Sequence, residues 1–332
     1  MGAVSLGLAA CGKPRLVTVS RTPKFAIERL NQETAAIAER ARPGILGAGM
    51  VNLESGEAWS FNGERRFPMQ SVFKLVLAVA ALAEVDAGRL TLGETTTITD
   101  GQLSPSWSPI ADRWPGRSVY TFDELLTAAV VDSDNTAADV LMKRIGGPGA
   151  VEAWLQGKHV DEVRVDRYER EFQPEVYGMA SFRPAWKGEA AFAAARATVD
   201  PATRRRAMAA YMADPRDSAT PRGMASFLAM LDAGELISTA STYRLLALMG
   251  RGARGAERLK AGLPKAAHFA HKTGTSGTDQ GLTPAFNDVG IVALPDRRRY
   301  AMAAFLTGST AGAAANAALL AELGRTLTLG VG

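Results

Sequence analysis

The strand-like segments of this chain are divided between its two ends, and that division limits the folds open to it. Near the start, "ILGAGMVNL" and "EAWSFNG" flank a Glu54-Ser55-Gly56 turn and read as two strands. Near the end, "AAHFAHKTGT", "NDVGIVAL" and "RRYAMAAFLTG" read as three more. Between them lie helical patterns and loops. Such a chain closes one sheet with strands from both termini and carries a helical lobe inserted in the middle. Its 332 residues suffice for a substantial core in one or two domains.

The helices announce themselves by period and by their ends. Pro23 to Ala41 places Phe25, Ile27, Leu30, Ile37 and Ala41 near a 3.6 spacing. A second helix runs from Ser71 to Gly88, and another follows Ser133 as far as Gly146. Thr121 with Glu124 forms a capping box ahead of "LLTAAVV". "TAGAAANAALLAELGRTL" supplies a last helix. Two more are expected in "EAAFAAARA" and "DPATRRRAMAAYM", the second with Asp200 as N-cap and Pro201 in the first turn. No internal repeat is visible.

Composition excludes several classes. With 47% hydrophobic and 22% charged residues the chain is globular, and a net charge of +4 is mild for its length. Its one basic cluster, Arg204-Arg205-Arg206, reads as a solvated helix face, and no basic patch with interleaved aromatics points to nucleic acid. The single cysteine, Cys11, rules out an internal disulfide. It follows a short apolar run ending Leu8-Ala9-Ala10, which resembles a bacterial lipoprotein signal with Cys11 as the lipid anchor. The alternatives are an ordinary signal peptide cut near Ala10 or a misassigned start, because the usual positive charges before the apolar part are missing. Residues 1–20 are accordingly read as leader and linker. The apolar run after Lys74 is too interrupted, by Glu84, Asp86 and Arg89, to span a membrane.

Chemistry is carried by three short motifs in a fixed order. Ser71 and Lys74 stand three apart at a helix start, so the amine lies where it could take the hydroxyl proton, near a helix N-terminus that favours developing negative charge. Alone, the serine reads as a cap. Ser133-Asp134-Asn135 opens a later helix, and Lys272-Thr273-Gly274 lies in a predicted strand. Singly these are a helix cap and a strand end; together, each on a suitable element, they form the S-x-x-K, S-D-N, K-T-G set.

With these motifs the chain resembles the class A β-lactamases and penicillin-binding proteins, and most closely the PER-type subgroup, through "MQSVFK", "ERLKAGLP", "AHKTGTSG" and "NDVGIVALPD". The likeness covers about residues 24–328, the expected catalytic domain, with a helical lobe at about 71–230. It implies an α/β fold of the serine β-lactamase/D,D-peptidase type, with an antiparallel sheet and flanking helices. It also implies a glutamate in the Ω-loop after the second motif. "VRVDRYERE" places this at Glu169, with Glu171 as a solvated rival, and implies an Arg167–Asp217 ion pair clasping the loop. The departure is length: the loop at 167–217 carries an insertion at 172–213, and Gln173 stands where an asparagine commonly holds the hydrolytic water. Whether the insertion lids the pocket or packs elsewhere is open from sequence.

The resemblance implies that Ser71 attacks the β-lactam amide, with its proton taken by Lys74 or by Glu169 through water. Ser133 relays a proton to the leaving nitrogen, with Lys74 and Lys272 keeping its hydroxyl poised, and Glu169 activates water to release the acyl group. Backbone N–H groups of Ser71 and Thr275 form the oxyanion hole. Lys272, Thr273, Gly274, Thr275 and Arg258 hold the drug carboxylate, Arg258 standing in for an arginine whose strand position is Phe286 here. Asn135 binds the side-chain amide, and Trp107 lies at the pocket rim or packs inside. The substrate expected is a small-molecule penicillin or cephalosporin, leaning to cephalosporins. Without a second cysteine, the disulfide of some carbapenem-hydrolysing relatives cannot form. No cofactor and no metal are implied: His268 and His271 point to opposite faces of a strand, and His159 is remote in sequence. The enzyme is expected in the periplasm as a monomer. The rival readings are a D,D-peptidase, which the Glu169 base argues against, and a penicillin-binding sensor that acylates once.

Overall fold

A computed structural model describes residues 24–331 except Ala253. Cys11 and the leader lie outside the described residues. Strands β1 (Ile45–Asn52) and β2 (Ala58–Phe61) follow helix α1 (Ile27–Arg40). Strands β3 (His268–Thr275), β4 (Thr283–Ala293) and β5 (Arg299–Ser309) precede a last helix, Ala313–Leu329. They form one five-stranded sheet in the order β2-β1-β5-β4-β3, with every neighbouring pair antiparallel. The two ends of the chain meet at the β1–β5 ladder, where Ile45 faces Thr307 and Asn52 faces Tyr300. The sheet and its antiparallel sense are those expected from sequence. β4 starts earlier than "NDVGIVAL" suggested, because Thr283-Pro284-Ala285 also lies along the ladder.

The period-2 pleat of β5 sorts its side chains into two cores. Tyr300, Met302, Ala304 and Leu306 pack with Leu30 and Ile37 of α1 and with Leu320, Leu323 and Leu327 of the last helix. Ala301, Ala303 and Phe305 point the other way, into the larger core shared with the helical lobe. At the centre of that lobe is α2 (Phe73–Asp86), in which every residue from Phe73 to Leu82 is buried. A helix apolar all round has to be surrounded. Thr121 and Glu124 cap the next helix reciprocally, Thr121 Oγ1 accepting from Glu124 N at 3.1 Å.

Two local readings change. The helix after the second motif, α3 (Asn135–Arg144), is capped by Asp134, whose carboxylate accepts from Ala137 N at 2.9 Å. Ser133 is therefore outside the helix, held at φ +61°. The segment after Glu169 folds as α4 (Glu169–Glu175), α5 (Glu189–Ala197) and α6 (Pro201–Ala213), with Asp200 capping α6. Arg204 on α6 is not a solvated charge. Its side chain is largely buried, with Nε 2.8 Å from Asp279 Oδ2 in the turn after β3, so it ties the insertion to the sheet. After α6, α7 (Pro221–Asp232) returns to the sheet, and Ala313–Leu329 is α8. Among the described residues no helix is long and apolar enough to cross a membrane.

Candidate active site

Ser71 occupies the single turn Gln70–Val72 that leads into α2. Gln70 before it has φ +47°, in the left-handed region, a strained position for a residue with a Cβ. The turn is held from the sheet: Asn287 on β4 donates to Pro68 O at 2.9 Å and to Met69 O at 3.1 Å. β3 lies against the same turn. A Cβ at Gly274 would be 2.1 Å from Met69 O, so this close approach requires glycine.

Lys74, one helical turn on, is fully buried. Its Nζ is 2.9 Å from Ser71 Oγ, 2.7 Å from Ser133 O, 2.5 Å from Asn135 Oδ1 and 2.8 Å from Glu169 Oε1. An ammonium has three protons for these four oxygens. The crowding places Lys74 between the Ser71 hydroxyl and the Glu169 carboxylate, within proton-transfer distance of both. Lys272 Nζ, on β3, donates to Ser133 Oγ at 2.9 Å. The two lysines thus hold Ser133 differently: Lys272 takes the hydroxyl and Lys74 the carbonyl. Burial, with Lys74 as a second cause, lowers Lys272 well below the ordinary lysine range.

Glu169 at the start of α4 is fully buried, while Glu171 is exposed and reaches back to accept from the N–H of the N-cap residue Tyr168 at 3.0 Å. Glu169 Oε2 accepts from Gln173 Nε2 at 2.8 Å. The loop carrying it is clasped where the resemblance implied. Arg167 Nε is 2.6 Å from Asp217 Oδ2, and Asp217 Oδ1 also accepts the backbone N–H groups of Asp166 and Arg167. Both side chains are buried.

On the substrate side, Ser71, Trp107, Ser133, Asn135, Thr273 and Thr275 line a cleft of about 390 Å³. Asn135 donates one Nδ2 proton to Pro105 O, which leaves the other for the cleft. Trp107 donates Nε1–H to Asp132 O at 2.8 Å and is one-third exposed at the rim (37%). Arg258 does not line the cleft. Its guanidinium is buried against the Phe286 ring and donates to Thr275 Oγ1 at 2.7 Å and Asn287 O at 2.7 Å, so it acts on the cleft through Thr275. The phenylalanine at 286 is the platform on which that guanidinium lies.

Other residues at the site were not picked out from sequence. Asp139, one turn along α3 from Asn135, accepts Glu169 N at 2.7 Å, Arg170 N at 3.0 Å and Ser104 Oγ at 2.6 Å. Burial, with the Glu169 charge adding to it, pushes its carboxyl up to about 7. The i, i+4 spacing from Asn135 was a usable signal for it. The insertion contributes Tyr177, Phe192 and Arg196 as one wall of the cleft, while Arg254 lies 3.9 Å over the Trp107 ring. The insertion also sends Tyr211 of α6 beneath Gln70. No sequence pattern marks these contacts. Among the described residues no cluster of three His, Cys, Asp or Glu side chains is placed to hold a metal ion.

Comparison with known proteins agrees with this geometry. The Beta-lactamase enzyme family matches residues 29–329. The chain is 30% identical to the extended-spectrum beta-lactamase PER-1 of Pseudomonas aeruginosa over 89% of this chain and 84% of that one. It is 28% identical to beta-lactamase VEB-1 of Pseudomonas aeruginosa over 86% and 85%. The crystal structure of a beta-lactamase from Chitinophaga pinensis superposes with a TM-score of 0.74 at 32% identity, covering 90% of this chain and 97% of that one. An ancestral (GNCA) class A beta-lactamase gives 0.73 at 32% identity, over 90% and 99%. Three dispersed motifs, a family match along nearly the whole described chain and these relatives converge: the chain belongs to the class A β-lactamases, near the PER and VEB enzymes.

Proposed function

We propose the following roles in the β-lactam hydrolysis that this membership brings. Lys74 passes a proton to the Glu169 carboxylate 2.8 Å away, and the amine so freed takes the Ser71 proton across 2.9 Å as Oγ attacks the ring carbonyl. The backbone N–H groups of Ser71 and Thr275 stabilise the oxyanion, at about 3 kcal/mol per donor. Ser133, bonded to Lys272, gives its proton to the departing ring nitrogen and is reprotonated by Lys74, which takes its own proton back from Glu169. Glu169, returned to the carboxylate, takes a proton from water as its oxygen attacks the ester, and that proton passes through Lys74 to the departing Ser71 Oγ, which restores the free enzyme. Lys272, Thr273 and Thr275 hold the drug carboxylate, with Gly274 giving the strand its close approach and Arg258 orienting Thr275. Asn135 binds the side-chain amide and Trp107 borders the opening. The observation that carries the reading is Lys74 Nζ within bonding distance of both Ser71 Oγ and the Glu169 carboxylate.

The substrates proposed are penicillins and cephalosporins, acted on by a monomer whose catalytic unit is residues 24–328, with the helical lobe at 71–230 and the Ω-loop at 167–217. The Leu8–Cys11 pattern supports export to the periplasm with a lipid on Cys11; incorporation of labelled palmitate into the wild-type chain but not into Cys11→Ala tests the tether. For the reaction, purified protein is mixed with a chromogenic cephalosporin. Many equivalents of product per enzyme are expected. One equivalent followed by a stable adduct would defeat the reading and favour a peptidase or sensor.

A further inference from the structure

The base Glu169 is joined to the inserted helix α6 by an unbroken polar chain. Gln173 Nε2 donates to Glu169 Oε2 at 2.8 Å and to Gln70 Oε1 at 2.9 Å. Gln70 Nε2 donates in turn to the Tyr211 hydroxyl at 2.8 Å. Gln70, Gln173 and Tyr211 are all buried, with 1%, 8% and 5% of their surface exposed, so solvent does not compete for these groups.

The direction of the chain is fixed by charge. A carboxylate accepts only, so the Gln173 amide has to present its nitrogen to Glu169. The second proton of that nitrogen then requires an oxygen from Gln70, which turns the Gln70 nitrogen toward α6. What it meets there is the phenol oxygen. Burial holds the Tyr211 phenol well above its ordinary range, so it stays neutral and able to accept. With the amide nitrogen of Gln173 used twice, its carbonyl is left for the cleft, which Gln173 lines. That oxygen is the group available to a water beside Glu169.

We propose that Tyr211 is a positioning residue for deacylation: from the inserted helix, through Gln70 and Gln173, its hydroxyl fixes the orientation of the Glu169 carboxylate and of the Gln173 carbonyl. This rests on the hydrolase reading and names a part of the deacylating machinery that the family motifs do not contain. Tyr211 also has an ordinary packing role. Its ring lies parallel to Phe172 at 6.5 Å, and Phe172 meets Phe73 edge-on at 6.0 Å. Phenylalanine keeps that packing and removes only the acceptor.

The test is Tyr211→Phe with a good cephalosporin, reading kcat, KM and the fraction of enzyme recovered as acyl adduct after acid quench. Losing one buried hydrogen bond to the positioning chain should slow deacylation about three- to tenfold. Because the acyl-enzyme then accumulates, kcat and KM fall together, kcat/KM stays within about twofold, and the adduct fraction rises. Gln70→Met removes the bond to Tyr211 and also the oxygen that accepts from Gln173, so it should slow deacylation at least as much, and adding Tyr211→Phe to it should change nothing further. A packing role alone would lower the number of titratable active sites at unchanged KM. That result, or unchanged kinetics and adduct level in Tyr211→Phe, overturns the proposal. Wild-type protein that fails to turn over would instead overturn the hydrolase reading.

Discussion

Ser71, Lys74, Ser133 and Lys272 are set by a central helix, a strained corner and a sheet strand, whereas Glu169 opens the short helix α4 in the loop between Arg167 and Asp217. The first group is placed by regular backbone and dense apolar packing: α2 is buried along its first ten residues, and β3 lies directly on the serine turn. The second is placed by polar contacts over long sequence distances, from Asp217, Asp139, Gln70 and, through it, Tyr211. In the proposed mechanism acylation draws mainly on elements that fold as the core folds, taking from the loop only the carboxylate that accepts the Lys74 proton. Deacylation depends on a few buried hydrogen bonds, each of which one substitution can remove. Damage to the loop should therefore slow acylation less than it slows deacylation.

The strongest test of that asymmetry is Glu169→Gln. Acylation should slow, because Lys74 loses the carboxylate that takes its proton, yet deacylation should fall further, about 10²- to 10⁴-fold, the usual contribution of a general base, leaving a drug adduct visible by mass spectrometry. Glu171→Gln should turn over normally; a stalled adduct there instead would move the base to Glu171. Next comes Arg167→Ala. Leaving the buried Asp217 carboxylate without its guanidinium should destabilise the protein by about 3–5 kcal/mol in denaturant unfolding. Where the variant is still folded, the acylation burst should persist as turnover declines. An equal loss of both would erase the distinction between the two sides.

Asp139→Asn should be milder, about 1–3 kcal/mol, because one acceptor becomes a donor facing backbone N–H groups. It also carries a pH signature. The Asp139 pKa is raised from 3.8 to about 7, so the folded state binds this proton more tightly than the unfolded chain. Its contribution is therefore fully present below about 4 and is lost as pH rises toward 7. Wild-type stability relative to Asp139→Asn should decline across that interval, and a constant difference would show that Asp139 does not titrate there. The smallest effect is expected for Arg258→Ala, acting on the drug carboxylate only through Thr275. KM should rise about three- to tenfold, one hydrogen bond's worth, with kcat nearly unchanged; an unaltered KM would remove Arg258 from the site.

The same asymmetry decides what could be read from the sequence. Ser71 and Lys74 are neighbours on one helix face, so three-residue spacing was enough to pair them. The sheet was legible because its strands are largely apolar runs bounded by marked turns. Asp134 was taken with Ser133 as one cap motif, but the αL corner at Ser133 leaves only Asp134 as the cap. Arg204 looked solvated because Ala-rich helices usually present arginine outward, yet Asp279 from the far side of the chain claims it. Tyr211 is in the same position. Nothing local in "AMAAYMAD" tells of a glutamine beside the nucleophile, since that contact exists only once the insertion has folded back over the sheet.

That insertion has two jobs on adjacent helices. α5 gives the cleft its outer wall through Phe192 and Arg196, while α6, joined to it by a turn of three residues from Thr198 to Asp200, ends in the hydrogen bond to Gln70. Mutations that widen the wall to admit bulkier antibiotics will tug on the helix behind it. Under the proposed Tyr211 link, the shape of the wall and the setting of the base share one three-residue turn, so substitutions in α5 are expected to alter turnover as well as fit.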